Sequence, residues 1–304
     1  MQDEIVDIAI ILVSFNSEDT LARSIESVIK YCPKRYSFKV MVVDNCSTDR
    51  SVDIVRSFSG VTLLENGSNL GFGTANNVGM RHINARYYYL HNIDAYLCDN
   101  VLDIAVSAMD EQADIGVLGL PLVYPDRSPQ TSAYSFSSPS KWILQEIGAP
   151  KLIRYLLSTF MGEKLIPVLE RLPHGRTFVN TFGRSAESHC DNSLICVDWV
   201  CGAAMLVRRR AFIACGGFDE TIFLYGEDED LCRVLKSKNF LTFQLQCTPV
   251  IHEFGWGKHH KQSGSVSDLK FNSLRVFLRK HFKYMSASWI IMRFILSLRF
   301  RRIG

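Results

Sequence analysis

The sequence predicts an α/β protein with a Rossmann-like, mostly parallel central sheet and helices on both faces. Across residues 8–118, short apolar runs alternate with amphipathic segments, and polar clusters follow directly after several of the apolar runs. The apolar runs are continuous, which is typical of strands that are buried on both faces. Alternation of such strands with helical patterns indicates a parallel sheet.

The individual elements follow from this alternation. Strands are predicted at residues 8–13, 39–43, 61–64, 87–90, 115–118, 197–207 and 241–245. Helices are predicted at residues 20–31, 51–58, 75–82 and 101–109, and two further segments, 212–217 and 228–238, flank an acidic turn. Open parallel sheets bind ligands at the carboxyl ends of their strands, which is where the polar clusters of this sequence lie.

The chain of 304 residues is long enough for one large domain with an appended tail. We expect the domain to span residues 1–265, with a helical, apolar and basic insertion at about residues 141–172, and the tail to span residues 266–304. The tail is predicted to form basic amphipathic helices. Between Lys270 and Gly304 there are nine Lys or Arg residues and no Asp or Glu.

The aromatic residues Trp289, Phe294 and Phe300 are interleaved with the basic residues of the tail. This pattern favours a face that rests on anionic lipid headgroups. A solvated basic helix is the alternative, and we do not expect a nucleic-acid partner. No apolar stretch reaches the roughly 18 residues that a membrane-spanning helix needs.

The compartment is predicted from the cysteines and from the N-terminal residues. The nine cysteines are scattered and none forms a CxxC pair, which is typical of reduced thiols. Acidic residues occupy the N-terminus where a signal peptide would have basic ones. We therefore expect a cytoplasmic protein that is peripheral on the inner face of the cytoplasmic membrane.

Two polar clusters follow the first two predicted strands. The first contains Ser14 and Asn16, and the second contains Asp44, Asn45 and Ser47. A carboxylate at a strand end can accept a hydrogen bond from a base N–H or from a ribose hydroxyl. The alternative is structural, because Asp44 and Ser47 can also form an Asx turn that caps the next helix.

A glycine-rich cluster precedes the third predicted helix and contains Asn69, Gly71, Phe72 and Asn76. Glycines ahead of a helix allow the backbone to approach a phosphate or a sugar closely. No Gly-Lys-Ser/Thr sequence follows, so the segment is not a Walker loop. A simple turn and helix cap explains the same residues.

Acidic residues follow in two places. Asp94 comes after the fourth strand, two residues beyond Asn92, and can hold a divalent cation that bridges a diphosphate, or else cap a helix. Residues 227–230 are four consecutive acids, whose mutual repulsion must be offset by a metal, a helix N-terminus or a shared proton. A plain acidic start of a helix is the alternative for this second group.

Taken in order, these segments resemble family 2 glycosyltransferases, especially the bacterial rhamnosyltransferase-like members. The matching segments are VSFN at 13–16, VDNCSTD at 43–49, NLGFGTANNVG at 69–79, LHNID at 90–94, DWVCGAAMLVRR at 198–209, GGFDE at 216–220 and EDEDL at 227–231. They extend across residues 8–255. The resemblance implies a GT-A fold, a nucleotide-sugar donor, and Mn²⁺ or Mg²⁺ as the cofactor.

The resemblance also implies roles for individual residues. Asp44 would contact the base of the nucleotide, and Asp228 would be the catalytic base. The other residues implied on the donor side are Ser14, Asn16, Asn45, Ser47, Asn69, Gly71, Phe72, Asn76 and Asn92. The residues implied on the acceptor side are Trp199, Gly202 and Glu227, although Trp199 also suits a core position.

A metal site is implied at Asp94 and His252, although a core histidine is the alternative for His252, and His259 and His260 are weaker candidates. Asn92 stands where the family's motif has its first acid, and a neutral amide binds a metal more weakly than a carboxylate does. The cation is therefore expected to be held mainly by Asp94, the diphosphate and water.

The predicted function is that of an inverting, metal-dependent glycosyltransferase. It would move rhamnose or a hexose from a nucleotide diphosphate to a saccharide or polyprenyl-linked saccharide acceptor in cell-surface polysaccharide synthesis. The alternative is a catalytically weak nucleotide-sugar-binding partner of another transferase, which Asn92 favours. A nucleotidyltransferase is not favoured, because Ser14 and Asn16 stand where that class carries a glycine-rich loop with Lys or Arg.

Overall fold

The computed structural model describes residues 5–146, 164, 167–168, 171, 190–253, 265–283 and 286–301. The strands are β1 Val6–Ser14, β2 Phe38–Asp44, β3 Val61–Glu65, β4 Ala85–Asn92, β5 Ala95–Tyr96, β6 Ile115–Gly119, β7 Leu122–Val123, β8 Pro129–Gln130, β9 Ala133–Tyr134, β10 Leu194–Val197, β11 Trp199–Val200, β12 Ala204–Arg208, β13 Leu241–Leu245 and β14 Val250–His252. The helices are α1 Leu21–Lys30, α2 Ser51–Arg56, α3 Phe72–His82, α4 Val101–Glu111, α5 Pro139–Glu146, α6 Arg209–Cys215, α7 Glu227–Ser237, α8 Ser265–His281 and α9 Ala287–Arg301.

The central sheet has eight strands in the order β10-β13-β6-β12-β4-β1-β2-β3. Strands β1 to β4 are parallel, and so are β6 and β13, whereas β12 runs antiparallel to both β4 and β6. Because β12 is reversed, it begins at the edge where its parallel neighbours end, and Ala204 lies opposite His91. The prediction of a mostly parallel sheet is confirmed. Short strands form two smaller sheets, β5-β14-β7-β8 and β9-β11.

The sheet is covered on both faces, which explains the continuous apolar runs in the sequence. Along β1, Ile8 and Ile10 belong to one buried cluster, while Ala9 and Ile11 belong to a second cluster on the opposite face. Successive side chains of a strand point to opposite faces, so a strand buried on both sides needs apolar residues at every position. The burial of this central strand therefore fixes the sheet at the centre of the domain.

The predicted strand at residues 197–207 is wrong as a single element. The structure divides it into the ends of β10 and β12 with the short β11 between them, and residues 201–203 leave the sheet. The backbone N–H of Cys201 donates to Ser132 O, and that of Gly202 donates to a carboxylate of α7. The apolar pattern continues through this interruption because Val200 and Ala203 are both buried. The third helix also begins earlier than predicted, at Phe72.

A third apolar cluster joins the tail to the main domain. Trp142 of α5, Phe277 of α8 and Trp289 of α9 are all buried within it. Trp289 therefore does not lie on the exposed basic face where the sequence pattern suggested it. The predicted insertion at residues 141–172 lies largely outside the described residues, because few residues after Glu146 are described. The division of the chain into a domain and a tail at residue 265 stays a prediction. No helix in the described part of the chain is both long and apolar enough to span a bilayer.

Gly119, at the end of β6, offers a test of the packing between the sheet and β11. A Cβ at this position would lie 2.6 Å from Cβ and Cγ1 of Val200. We expect the Gly119→Ala variant to lose about 1–3 kcal/mol through overpacking, which lowers Tm by about 2–10 °C for a domain of this size. The matched control is Gly67→Ala, because no atom lies within 4 Å of a Cβ there. An unchanged Tm for Gly119→Ala would contradict the tight contact.

Candidate active site

Asp228 is held in one orientation at the start of α7. The N–H of Gly202 donates to Asp228 Oδ2 at 2.8 Å, whereas Oδ1 is buried and has no hydrogen-bond partner within the described chain. A side chain at position 202 would overlap Oδ1, and its Cβ would lie 3.0 Å from Cε1 of Phe72. Because buried polar atoms without partners are rare in folded proteins, Oδ1 marks a place where a ligand group can bind.

The four acids in the first turn of α7 have different surroundings. Glu229 pairs with Arg233 at 2.8 Å, and Asp230 pairs with Lys280 at 2.9 Å. Among the described residues, no ion pair involves the first two acids, residues 227–228. The helix N-terminus favours negative charge in general. The structure therefore separates two acids that are neutralised by neighbouring cations from two that are not.

The two acids without cations have raised pKa values. Burial raises the pKa of Asp228 to about 6, and burial together with the charge of Asp228 raises the pKa of Glu227 to about 8. Both carboxyl groups therefore bind protons more readily than exposed acids do. Glu227 Oε2 is also buried without a partner in the described chain. A carboxylate whose pKa is raised towards neutrality is a stronger proton acceptor, which suits general-base chemistry.

Asp94 and His252 meet at the end of β4. His252 Nε2 lies 3.3 Å from Asp94 Oδ1 and 3.4 Å from Asn92 Nδ2. On its other side, His252 Nδ1 lies 2.9 Å from Gln130 Oε1, which can accept the Nδ1–H and leave Nε2 as a ligand. An imidazole lone pair and a carboxylate at this separation need a proton or a cation between them.

The donor set at Asp94 fits a divalent metal in part. Carboxylate and imidazole are ligands that Mn²⁺ accepts, and the contact between His252 and Gln130 is the outer-shell hydrogen bond that metal-binding histidines usually make. No group of three or more His, Cys, Asp or Glu side chains suited to a metal occurs among the described residues. The described residues supply two strong ligands at most, so substrate oxygens or water would complete the coordination of a bound metal.

Asp44 and Ser47 form the turn that the sequence left as an alternative. Asp44 Oδ2 accepts from Ser47 N at 2.8 Å, and Oδ1 accepts from Ser47 Oγ at 2.6 Å. Ser47 Oγ in turn accepts from Asn16 N, and Asn16 Oδ1 accepts from Thr48 N. Each carboxylate oxygen has a second acceptor position. The turn therefore fixes Asp44 and still allows it to bind a ligand. Ser14 Oγ is buried at the same edge without a partner in the described residues.

The glycine-rich turn is rigid and connects to the neighbouring strand end. Gly71 has φ +81°, and its N–H donates to Asn69 Oδ1 at 3.0 Å. Asn45 Nδ2 donates to Gly71 O at 3.2 Å, and Asn76 Nδ2 donates to Phe72 O at 3.0 Å. The turn leads directly into the N-terminus of α3. The N–H of Phe72 donates to Phe223 O, and the N–H groups that follow it in the first turn favour an anion such as a phosphate.

A continuous chain of contacts joins these clusters into one site. Gly71 belongs to the glycine-rich turn, and the ring of its neighbour Phe72 reaches the space beside Gly202 and Asp228. On the other side of Gly202, the carbonyl of Ala203 accepts a 3.0 Å hydrogen bond from the N–H of Asn92. The clusters at the ends of β2 and β4 and at the start of α7 therefore face the same edge of the sheet.

The surroundings of Cys201 also place the acids together. Burial raises the pKa of this thiol to about 12, and the negative charges of Asp228, Glu227 and Asp94 act in the same direction. Each of the three carboxylates therefore lies within electrostatic range of this thiol. Together with the hydrogen bonds of Gly202 to Asp228 and of Asn92 to Ala203, this places Asp94 and Asp228 on the same side of the molecule, next to residues 201–203.

Three of the residues considered from the sequence need separate comment. Trp199 stacks on Tyr134 with ring centroids 4.2 Å apart, and its Nε1 donates to Ser135 O. One face of the indole is thus already covered within the protein, so an acceptor sugar has only the opposite face available. His259 and His260 lie outside the described residues.

Several residues of the site were not identified from the sequence. Gln130 lies on a two-residue strand in a loop, and nothing in its sequence context indicates contact with His252. Lys280 and His281 were grouped with the basic tail, and their contacts with an acid of α7 depend on the packing of α8. Such contacts join residues far apart in the chain and leave no local pattern.

A family model described as Glycosyl transferase family 2 matches residues 9–179. A relative in Mycobacterium tuberculosis (strain CDC 1551 / Oshkosh), N-acetylglucosaminyl-diphospho-decaprenol L-rhamnosyltransferase, is 29% identical over 225 residues, which cover 70% of this chain and 66% of the relative. Rhamnosyltransferase WbbL of Escherichia coli (strain K12) is 24% identical over 283 residues, covering 93% of this chain and 94% of the relative.

Solved structures share the fold at low sequence identity. GalNAc-T7 with UDP, GalNAc and Mn²⁺ matches with a TM-score of 0.61 and 16% identity, covering 90% of this chain and 48% of that one. S. aureus TarS 1-349 in complex with UDP-GlcNAc matches with a TM-score of 0.55 and 17% identity, covering 98% and 72%. The predicted GT-A fold is confirmed. Because the family model covers more than half of the chain, the protein belongs to glycosyl transferase family 2.

Proposed function

We propose that this protein is an inverting glycosyltransferase that moves a sugar from a nucleotide diphosphate to a saccharide or polyprenyl-linked saccharide acceptor. The observation that carries the proposal is the buried Asp228 carboxylate. One of its oxygens is fixed by Gly202, the other has no partner in the described chain, and the Asp94–His252 pair lies at the same edge of the sheet. A purely structural acid at this position would have both oxygens hydrogen-bonded.

In the proposed reaction, Asp228 Oδ1 accepts the proton of an acceptor hydroxyl while that oxygen attacks the anomeric carbon. A new bond forms between the acceptor oxygen and this carbon as the bond from the carbon to the diphosphate oxygen breaks, and the nucleotide leaves with the bonding electrons. A single displacement inverts the anomeric centre and needs no enzyme nucleophile. The Gly202 N–H keeps the carboxylate in place. Burial raises the pKa of Asp228, which makes it a stronger proton acceptor.

The donor is proposed to lie between the Asp44 turn and the N-terminus of α3. Asp44 accepts hydrogen bonds from the nucleoside, and the backbone N–H groups that follow Phe72 face the diphosphate. Asp94 and His252 are the residues that would hold Mn²⁺ or Mg²⁺, with Asn92 as a weaker neighbour. When bound, the metal supplies positive charge that offsets the charge on the leaving diphosphate.

Rhamnose is the first candidate for the sugar, with other hexoses next. Two relatives are rhamnosyltransferases by name, and one of these names contains a lipid diphosphate acceptor. The names support a similar donor and acceptor here, with dTDP-rhamnose as the donor to test first and synthesis of a cell-surface polysaccharide as the setting. The alternative is a nucleotide-sugar-binding partner with weak catalysis, which Asn92 favours and the intact Asp228 disfavours.

We also propose that the protein rests on an anionic membrane surface from the cytoplasmic side. The described part of α9 presents an exposed apolar face, with Ile290 48% exposed, Ile291 37% exposed and Phe294 63% exposed. Arg293 lies on the same helix, and the residues after Lys270 carry only basic charges. Exposed apolar residues next to cations are the composition that binds to the interface of an anionic bilayer.

The catalytic proposal is tested by the Asp228→Asn variant. The amide is isosteric and can still accept from Gly202, but it cannot take a proton. We expect turnover to fall by at least about a hundredfold, which is the low end of general-base catalysis. Donor affinity should be retained, because Asp228 is proposed to act on the acceptor hydroxyl and not to hold the donor. It is measured by the thermal shift with nucleotide sugar, since a bound ligand raises Tm by mass action. The matched control is Asp53→Asn, which changes an exposed acid of α2. Near-normal turnover by Asp228→Asn would remove Asp228 from the role of base.

The metal proposal is tested through binding, without an activity assay. The readout is the Mn²⁺ concentration that half-saturates the thermal shift in the presence of dTDP or UDP. We expect Gln130→Leu to raise this concentration about 10- to 100-fold, because it removes the outer-shell partner of His252. Asp94→Ala should abolish the Mn²⁺-dependent shift. His82→Ala serves as the control, since His82 is exposed on α3. A wild-type nucleotide shift that EDTA does not change would contradict the site.

The membrane proposal is tested by the Ile290→Ser/Phe294→Ser double variant in vesicle co-sedimentation. We expect binding to vesicles with anionic lipid to weaken by about tenfold or more, since the apolar area entering the interface is removed. High salt should weaken wild-type binding as well. The control is Ile213→Ser, which removes an isoleucine that is 65% exposed on α6. Equal loss of vesicle binding in the double variant and in the control, or no loss in the double variant, would refute the proposal that the α9 face binds the membrane.

Deleting α9 is a less informative test, because Met292 and Leu296 are part of the third apolar cluster and their removal would disturb the packing of the domain.

A further inference from the structure

Asp230 is the most completely neutralised acid of α7. Its side chain is 1% exposed, and its two carboxylate oxygens accept from two different residues of α8. Lys280 Nζ lies 2.9 Å from Oδ2, and His281 Nε2 lies 2.6 Å from Oδ1. A buried carboxylate is strongly unfavourable unless it is paired and hydrogen-bonded. The position of Asp230 is therefore determined by α8.

Asp230 and the proposed base lie on opposite sides of the same helical turn. An α-helix advances about 100° per residue, so side chains two positions apart point about 200° away from each other. Asp228 points towards Gly202 at the sheet edge, and Asp230 points towards α8. The first turn of α7 is thus held by Gly202 on one side and by α8 on the other. Losing the contact on one side allows the turn to rotate or shift.

Helix α8 also supports the segment that leads into α7. Ser273, which is 2% exposed, accepts from the N–H of Leu224 at 3.2 Å. A Cβ at Gly226 would lie 3.7 Å from Phe277, so α8 passes close to the backbone at the start of α7. Lys280 reaches this segment as well, through Asp219 at 2.7 Å.

The other side of this segment contacts the donor-side turn. The carbonyl of Phe223 accepts from the N–H of Phe72 at 3.3 Å, and a side chain at Gly71 would overlap that carbonyl. Residues 216–226 are therefore packed between α8 and the start of α3. A displacement of α8 acts on the base through α7 and on the donor turn only through this longer segment.

We propose that Lys280 and His281 of α8 are positioning residues for the base Asp228. They act by fixing Asp230, which holds the first turn of α7 at the distance from Gly202 that the reaction needs. The inference rests on the proposed function, since it assigns a role in the same reaction. It makes part of the predicted C-terminal tail a support of the active site.

The test compares wild type with Lys280→Met and His281→Phe in the full-length protein. His281→Phe keeps an aromatic ring at the position that packs 4.8 Å from Phe277 and removes the hydrogen bond to Asp230. We expect kcat to fall about tenfold or more in each variant while the donor KM changes less than about twofold, because a catalytic group displaced by about 1 Å can cost a hundredfold. Lys280→Arg should recover most of the lost kcat.

The matched control is Arg279→Met, which removes an exposed cation from the same turn of α8 and should leave kcat unchanged. Unchanged kcat in Lys280→Met and His281→Phe would overturn the inference. A decrease fully accounted for by the fraction of unfolded protein, measured by circular dichroism at the assay temperature, would overturn it too. If either variant does not fold, Lys280→Gln or His281→Asn takes its place. These side chains are polar but too short to reach Asp230, so the same kcat loss is expected.

The two proposals fail in distinguishable ways. If wild-type protein transfers no sugar from any nucleotide donor with Mn²⁺ present, the proposed function is refuted. If wild type is active and Asp228→Asn is inactive, but the α8 variants turn over normally, the function stands and the positioning role alone is refuted.

Discussion

The repulsion among four consecutive carboxylates at the start of α7 is the constraint on which the rest of the site depends. The helix N-terminus offsets only part of this repulsion, because its effect is confined to the first turn and is modest in size. Arg233 neutralises the third acid and Lys280 the fourth. The first two are left at the sheet edge, where burial raises both of their pKa values. The raised pKa values reduce the negative charge that these two groups carry together.

The reversed direction of β12 places the backbone N–H of Gly202 next to Asp228. Because β12 enters between β4 and β6 from the opposite direction, the residues that precede it arrive at the carboxyl edge of the parallel strands. Residues 201–203 leave the sheet at that point and present a backbone N–H to Asp228. A glycine at position 202 is required by the lack of space between Asp228 and Phe72, which is a consequence of close packing and not of backbone conformation.

Much of the fold could be predicted from the sequence, because strands buried on both faces produce continuous apolar runs. The runs at residues 8–13 and 39–43 fall within β1 and β2. The interruption at residues 201–203 could not be predicted, since its residues are as apolar as those of a strand. The order of β12 in the sheet was equally hidden, because local sequence does not record which strands become neighbours.

The site was predictable where a residue follows a strand and unpredictable where its partner comes from a distant helix or loop. The segment containing Asp94 is marked by the end of a strand, and the structure brings it to Asp228. Its neighbour Gln130 lies in a loop with no periodicity, so only the three-dimensional structure reveals the contact with His252. The roles assigned to Asp44, Asp94 and Asp228 remain predictions that depend on the family resemblance and on this geometry.

The pairing of Asp230 with α8 has a consequence for the order in which the protein is made. The ribosome releases Asp230 while Lys280, 50 residues further along the chain, has not yet been synthesised. Contacts between distant residues form late in folding, because the intervening chain must first be ordered. A nascent chain can therefore begin to assemble β1 to β4 before α8 is synthesised, whereas Asp230 in the acidic turn of α7 acquires its counter-charge only after α8 has emerged.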